Sequence, residues 1–283
     1  MVWPSAKAGV RPTISIFSPE CKTMQETPLT FQDGARNTIA AILAEPENKT
    51  GRAVILCHGF LSNKDSRTNL RLTELHVAQG ISTLRFDWFG MGESEGEFGR
   101  ITVPTCCDQL ERAISLMRER GYHELGLTGS SFGGLLAILV GQHHPELRTI
   151  GLKCPVPDFP EMLDHEFGSN GIEEWKRTNY IPDVTGGTAP VALDFAFYES
   201  CRAVDAYAAA RNIKVPVLIV HGEQDELVPF HQIRRLEEAL PGDTKLVLLP
   251  EADHQFGRPE DFRRMTVHLA DWMQSHLPGT NRS

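Results

Sequence analysis

Ser131, Asp225 and His254 are the side-chain types needed for nucleophilic acyl chemistry. A serine hydroxyl attacks an acyl carbon only when a base takes its proton. An imidazole base in turn needs a carboxylate to fix its tautomer and stabilise its cation. Ser131 is the centre of Gly129-Ser130-Ser131-Phe132-Gly133, between a strand pattern over Leu125–Thr128 and an apolar helix pattern from Phe132 to about Val140. Glycines at both second neighbours permit a sharp strand-to-helix turn that exposes the hydroxyl. The helix start beneath it offers free N–H groups to a developing oxyanion. Taken alone, the pentapeptide also fits a glycine-rich turn that packs a helix closely on a sheet, and about one chain in ten of this length carries it by chance. Its companions decide between the two.

Each partner lies on a loop that follows an apolar strand pattern. Val217–Val220 opens into His221-Gly222-Glu223-Gln224-Asp225, and Lys245–Leu249 opens into Pro250-Glu251-Ala252-Asp253-His254. Loops at the C-terminal ends of strands are where open α/β sheets place their ligands. Asp158, which follows an earlier strand pattern, is the rival acid. Upstream, Ala53–Cys57 reads as a central strand ending in His58-Gly59-Phe60. The Phe60 and Phe132 N–H groups would together form an oxyanion hole, in which losing one donor typically costs about 100- to 1,000-fold in rate.

The elements that must position these residues alternate along the chain. An antiparallel entry is predicted over Thr13–Phe17, Leu29–Gln32 and Thr38–Leu43, with a turn at Asp33-Gly34. Strands over 53–57, 82–86, 124–128 and 149–154 then alternate with helices over 66–79, 103–119 and 132–143. After a break, the pattern resumes with helix 203–211, strand 216–220, helix 230–239, strand 245–249 and helix 260–276. Such alternation predicts a parallel sheet covered on both faces. The break at 157–202 reads as a lid inserted into a core formed by 1–156 and 203–283. Phe159, Trp175, Tyr180 and Phe197 are its candidate pocket residues; the alternative is a small satellite core in which these aromatics pack on one another.

Composition excludes other classes of function. The 283 residues are 41% hydrophobic and 23% charged, an ordinary globular balance. No apolar run approaches the ~20 residues of a membrane span. The N-terminus lacks the apolar stretch of a signal peptide, so cytoplasmic residence is expected. A net charge of −9 argues against nucleic acid or anionic membrane as partner. The six cysteines show no metal spacing and are expected to be reduced. Asp87, with Gly90 and Gly92, reads as a structural loop, and His58 and His221 as braces for the loops that they open. His143-His144, at a helix end, are read as having no acid-rich cluster to pair with, so no metal site is expected.

Five segments taken in order resemble the α/β-hydrolase superfamily: His58–Phe60, Asp87–Ser94, Gly129–Gly133, His221–Pro229 and Ala252–His254. The order Ser131, Asp225, His254 is that family's triad order. Within it, the stretch from Phe86 and the segment Ile213–Pro216 look most like small bacterial esterases of the feruloyl/cinnamoyl type and their relatives near the prolyl-oligopeptidase group. Ser130 stands where many such esterases carry histidine. The resemblance implies an α/β-hydrolase fold: a mostly parallel sheet of the eight-stranded type, helices on both faces and a lid after strand 6. It implies a cofactor-free serine esterase of small to medium acyl or aromatic esters, with a small-molecule ester as partner and self-association permitted. Thioesterase, acyltransferase and acylaminoacyl- or aminopeptidase-like activity would use the same triad. A binding protein without catalysis need not keep all three residues in register.

Overall fold

Met24–Gln32 (β1) turns back at Asp33-Gly34 into Thr38–Pro46 (β2), with Thr30 opposite Ala40. The Asp33 carboxylate sets this turn by accepting the Ala35 and Asn37 N–H groups at 3.0 and 2.9 Å. The computed structural model describes residues 24–182 and 189–279. The predicted strand over Thr13–Phe17, Cys21 and the Gly186-Gly187 pair lie outside the described residues.

Alternation follows. The chain runs through Arg52–Cys57 (β3), Arg67–Ala78 (α1), Ser82–Phe86 (β4), Val103–Glu119 (α2), Glu124–Ser130 (β5), Phe132–Gly141 (α3) and Thr149–Lys153 (β6). Next come Phe159–Thr178 (α4), a ribbon of Tyr180–Ile181 (β7) and Val191–Ala192 (β8), Ala196–Arg202 (α5) and Ala206–Ala210 (α6). Val217–Gly222 (β9), Phe230–Ala239 (α7), Thr244–Leu249 (β10) and Pro259–His276 (α8) complete it. Eight strands form one sheet in the order β1-β2-β4-β3-β5-β6-β9-β10. β2 is antiparallel to β1 and β4, and every later pairing is parallel.

β3 shows why a parallel strand is apolar throughout. Ala53, Ile55 and Cys57 join the larger core, under α2 and α3, while Val54 and Leu56 join the core under α1 and α8. α3 is buried along its whole length, as its unbroken apolar sequence requires. Side-chain caps fix where helices begin: Ser66 accepts the Asn69 N–H before α1, and Thr102 accepts the Thr105 N–H before α2.

The segment over 157–202, where the strand–helix alternation breaks, contains two helices and a short ribbon among its described residues. α4 is two helical pieces joined at Gly168, whose backbone leaves the helical region at φ 63° and ψ 172°. That break interrupts the 3.6-residue period, so the pattern is lost although the described residues of the segment are largely helical. Among the described residues, no helix is long and apolar enough to cross a membrane.

Three buried histidines tie the fold to pH. Burial lowers the pKa of His58, His76 and His221 from 6.5 to about 4, despite Asp87 near His58 and Asp225 near His221. Their folded-state pKa lies below the unfolded value, so between pH 6.5 and 4 the unfolded chain takes up protons that the folded chain refuses. Stability is therefore full above about pH 6.5 and is lost as pH falls toward 4, by up to about 3 kcal/mol per histidine. The urea midpoint should drop across that window and drop less steeply in His76→Leu. A midpoint flat from pH 7 to 4.5 would contradict the assignment.

Candidate active site

Ser131 sits between β5 and α3 with φ 53° and ψ −114°, a conformation that L-residues rarely adopt. Its N–H donates to the Lys153 carbonyl at 2.9 Å, and its carbonyl accepts from Gly134 at 2.9 Å, which fixes the turn on both sides. The flanking glycines are sterically required. A Cβ on Gly129 would lie 2.4 Å from the Gly133 carbonyl oxygen, and one on Gly133 would lie 2.2 Å from the Cys57 oxygen. Gly133→Ala should therefore destabilise the protein by about 3 kcal/mol or more, through a clash of backbone with backbone. A thermal midpoint within a degree of wild type would contradict this.

The other two residues converge from β9 and β10. The Ser131 Oγ lies 3.1 Å from His254 Nε2, and His254 Nδ1 lies 2.8 Å from Asp225 Oδ2. Asp225 Oδ1 accepts the Leu227 and Val228 N–H groups at 3.0 and 2.9 Å. Burial raises the Asp225 pKa, but the hydrogen bond and charge of His254, with the Val228 N–H, outweigh it and hold the carboxyl down at about 2. The acid thus stays ionised throughout the neutral range. Asp158, the rival, is spent elsewhere: it caps α4 by accepting the Glu161 N–H at 3.1 Å. Asp253 turns to the Gly257 N–H at 2.8 Å.

The imidazole is held by its backbone as well. Lys153 Nζ donates to the His254 carbonyl at 2.5 Å, Glu226 accepts the His254 N–H at 3.2 Å, and Arg67 donates to the Phe256 carbonyl at 2.7 Å. None of these three was singled out from sequence. Lys153 offered a signal, since it is a cation ending an otherwise buried strand; burial lowers its pKa.

The Phe60 loop approaches Ser131 from β3. A Cβ on Gly59 would lie 3.4 Å from the Ser131 Cβ. Among the described residues, the Phe60 and Phe132 N–H groups have no acceptor. Behind them, His58 Nδ1 bonds the Gly59 carbonyl at 2.8 Å, and the Trp88 N–H donates to His58 Nε2 at 3.3 Å. The Lys64 N–H and Nζ donate to the two Asp87 oxygens at 2.6 and 2.9 Å, which joins the Phe60 loop to the Asp87–Ser94 loop.

Ser131 and His254 open onto a cavity of about 690 Å³. Phe159, Met162, Leu163 and Phe167 of α4 line it, with Leu227 and Ile181. Three of the four aromatic pocket candidates do not line this cavity. Trp175 is buried among Phe167, Phe195, Phe197 and Tyr198, with its indole N–H on the Leu193 carbonyl at 2.6 Å. Phe197 is buried and stacks on Phe60 with ring centroids 4.9 Å apart, while Tyr180 points outward and is 51% exposed. Only Phe159 of the four lines the cavity. The satellite core and the pocket wall are two sides of one segment. A second cavity, of about 250 Å³ beside Pro157 and Arg235, contains none of the triad candidates.

One further sequence reading changes. His144 does have acidic neighbours, with Nε2 2.5 Å from Glu111 and Nδ1 2.8 Å from Glu146, because α2 brings Glu111 alongside. Among the described residues, Cys154, His221 and Asp225 have ligand-type atoms within 4.8 Å of one another. The Asp225 oxygens there are already committed to His254, Leu227 and Val228. The five described cysteines are free thiols.

Residues 54–265 match the profile of the alpha/beta hydrolase family. Among curated proteins, palmitoyl-protein thioesterase ABHD10 from Rattus norvegicus is 22% identical over 228 residues, 77% of this chain and 74% of its own. Its Homo sapiens counterpart is 21% identical over 89% of this chain and 82% of its own. Among solved structures, Est1E from Butyrivibrio proteoclasticus with ferulic acid bound superposes with a TM-score of 0.76 at 20% identity, covering 88% of this chain and 98% of that one. Alpha/beta hydrolase domain-containing protein 10 from mouse gives 0.74 at 18% identity, covering 88% and 99%. At these identities the superpositions speak for the fold alone.

Proposed function

Because the chain belongs to the alpha/beta hydrolase family, we propose that it is a serine hydrolase that cleaves carboxylic esters of small to medium acyl or aromatic acids. The observation that carries this reading is the hydrogen-bonded line from Asp225 through His254 to Ser131, 2.8 and 3.1 Å long, at the mouth of a cavity that α4 lines mainly with apolar side chains. In this mechanism His254 Nε2 takes the Ser131 proton as Oγ attacks the acyl carbon. Ionised Asp225 orients the ring and stabilises the imidazolium. The Phe60 and Phe132 N–H groups receive the oxyanion. His254 then protonates the leaving alcohol as its bond to carbon breaks. Water, deprotonated by the same base, releases the acid and restores Ser131. The insertion over 157–202 serves as a cap whose α4 face shapes the acyl half of the pocket.

A second reading, thioester hydrolysis, is favoured by the sequence likeness to palmitoyl-protein thioesterases. It uses the same steps with a thiolate leaving group. The test is labelling with a fluorophosphonate and peptide mapping, alongside turnover of p-nitrophenyl acetate, butyrate and octanoate. Matched octanoyl oxygen and sulfur esters rank the two readings. Labelling at Ser131 with ester turnover is the expected result; labelling at another residue, or none, would overturn it.

A further inference from the structure

The cavity is not uniform. Its α4 wall is apolar except for Glu166, whereas the wall nearest the His254 loop carries Arg67, Ser66, Thr68 and Gln255. Arg67 is held in place: its guanidinium donates to the Phe256 carbonyl at 2.7 Å and lies 3.7 Å over the Phe262 ring. It forms no ion pair among the described residues, although it begins α1, where the helix dipole disfavours a cation. A second cation, Lys153, lines the same cavity, and Glu166 of α4 is the one carboxylate lining it among the described residues. A fixed guanidinium with free N–H groups suits a carboxylate or phosphate oxygen pair.

Position assigns the half of the substrate that it would meet. The general acid must touch the leaving group, so the leaving group lies along the His254 loop, and Arg67 is bonded to that loop two residues beyond His254. From this geometry we infer that the enzyme prefers acyl esters or thioesters whose leaving group carries a carboxylate or phosphate-type anion, read by Arg67, with the acyl chain on α4. The inference rests on the serine-hydrolase reading above. With a net charge of −9 the protein as a whole repels anions, so such a preference would have to come from a local site.

The test compares hexanoyl esters of three phenols, in which a methylene separates the charge from the ring and keeps leaving-group basicity close. They are 4-hydroxyphenylacetamide, 4-hydroxyphenylacetate and (4-hydroxybenzyl)phosphonate. One charge-assisted contact predicts a kcat/KM about tenfold higher for an anionic ester than for the neutral one at low salt. That ratio should shrink with added NaCl. Arg67→Met should bring it toward one, and Arg67→Lys should keep part of it. The carboxylate and phosphonate arms show which anion is read. A wild-type ratio at or below one, or a ratio insensitive to both salt and Arg67→Met, overturns the anion site. If a neutral fluorophosphonate still labels Ser131 in that case, the hydrolase reading stands without it. Absence of both labelling and turnover overturns the two together.

Discussion

Ser131→Ala is expected to lower ester turnover by several powers of ten while leaving the fold in place. The attacking atom is removed, and what survives is the rate that the oxyanion donors and binding can give to water, typically only about 10³- to 10⁴-fold over the uncatalysed reaction. Stability should change little, because alanine keeps the Cβ and the substitution deletes one 3.1 Å hydrogen bond, worth about 1 kcal/mol. The strained backbone at φ 53° is built by the Lys153 and Gly134 bonds rather than by the hydroxyl. Steady-state kinetics with p-nitrophenyl butyrate and a melting curve check both halves. Retained turnover would move the nucleophile elsewhere.

Asp225→Asn should cost about 10⁴ in kcat with a much smaller change in KM. An amide can present its NH2 to Nδ1 and so select the wrong imidazole tautomer, and it cannot balance the imidazolium that forms. The carboxylate, held near pKa 2, is ionised at every pH where the folded protein is assayed. Loss of activity on mild acidification therefore does not report Asp225. Asp158→Asn is the control: its carboxylate caps α4, so kcat should fall less than tenfold. If the two variants exchanged effects, the acid would be Asp158.

The parts of the site that sequence makes legible are those fixed by one short segment each. β3, β5, β9 and β10 are apolar runs that end in polar loops, so the placement of Phe60, Ser131, Asp225 and His254 at one edge of the sheet follows from alternation alone. Partners that meet across the fold are not legible. Glu111 reaches His144 from 33 residues away, and Arg67 looks like any solvated helix cation until Phe256 and Phe262 hold it. Aromatic content likewise says nothing of direction. Trp175 and Phe159 share α4, yet one faces the Leu193 carbonyl and the other the cavity.

The Phe60 ring touches four others: Phe98, Phe132, Phe159 and Phe197, at centroid distances of 4.9 to 6.0 Å. Two of these belong to α4 and α5, and one to the turn that carries Ser131. The residue proposed to stabilise the reaction's negative charge is therefore also packed against the segment over 157–202. Under the proposed mechanism, the position of α5 and the alignment of the Phe60 N–H would be coupled through this ring stack. On that reading, a substrate that packs against α4 and α5 would also bear on the donor, and binding energy gained far from the acyl carbon would contribute to rate.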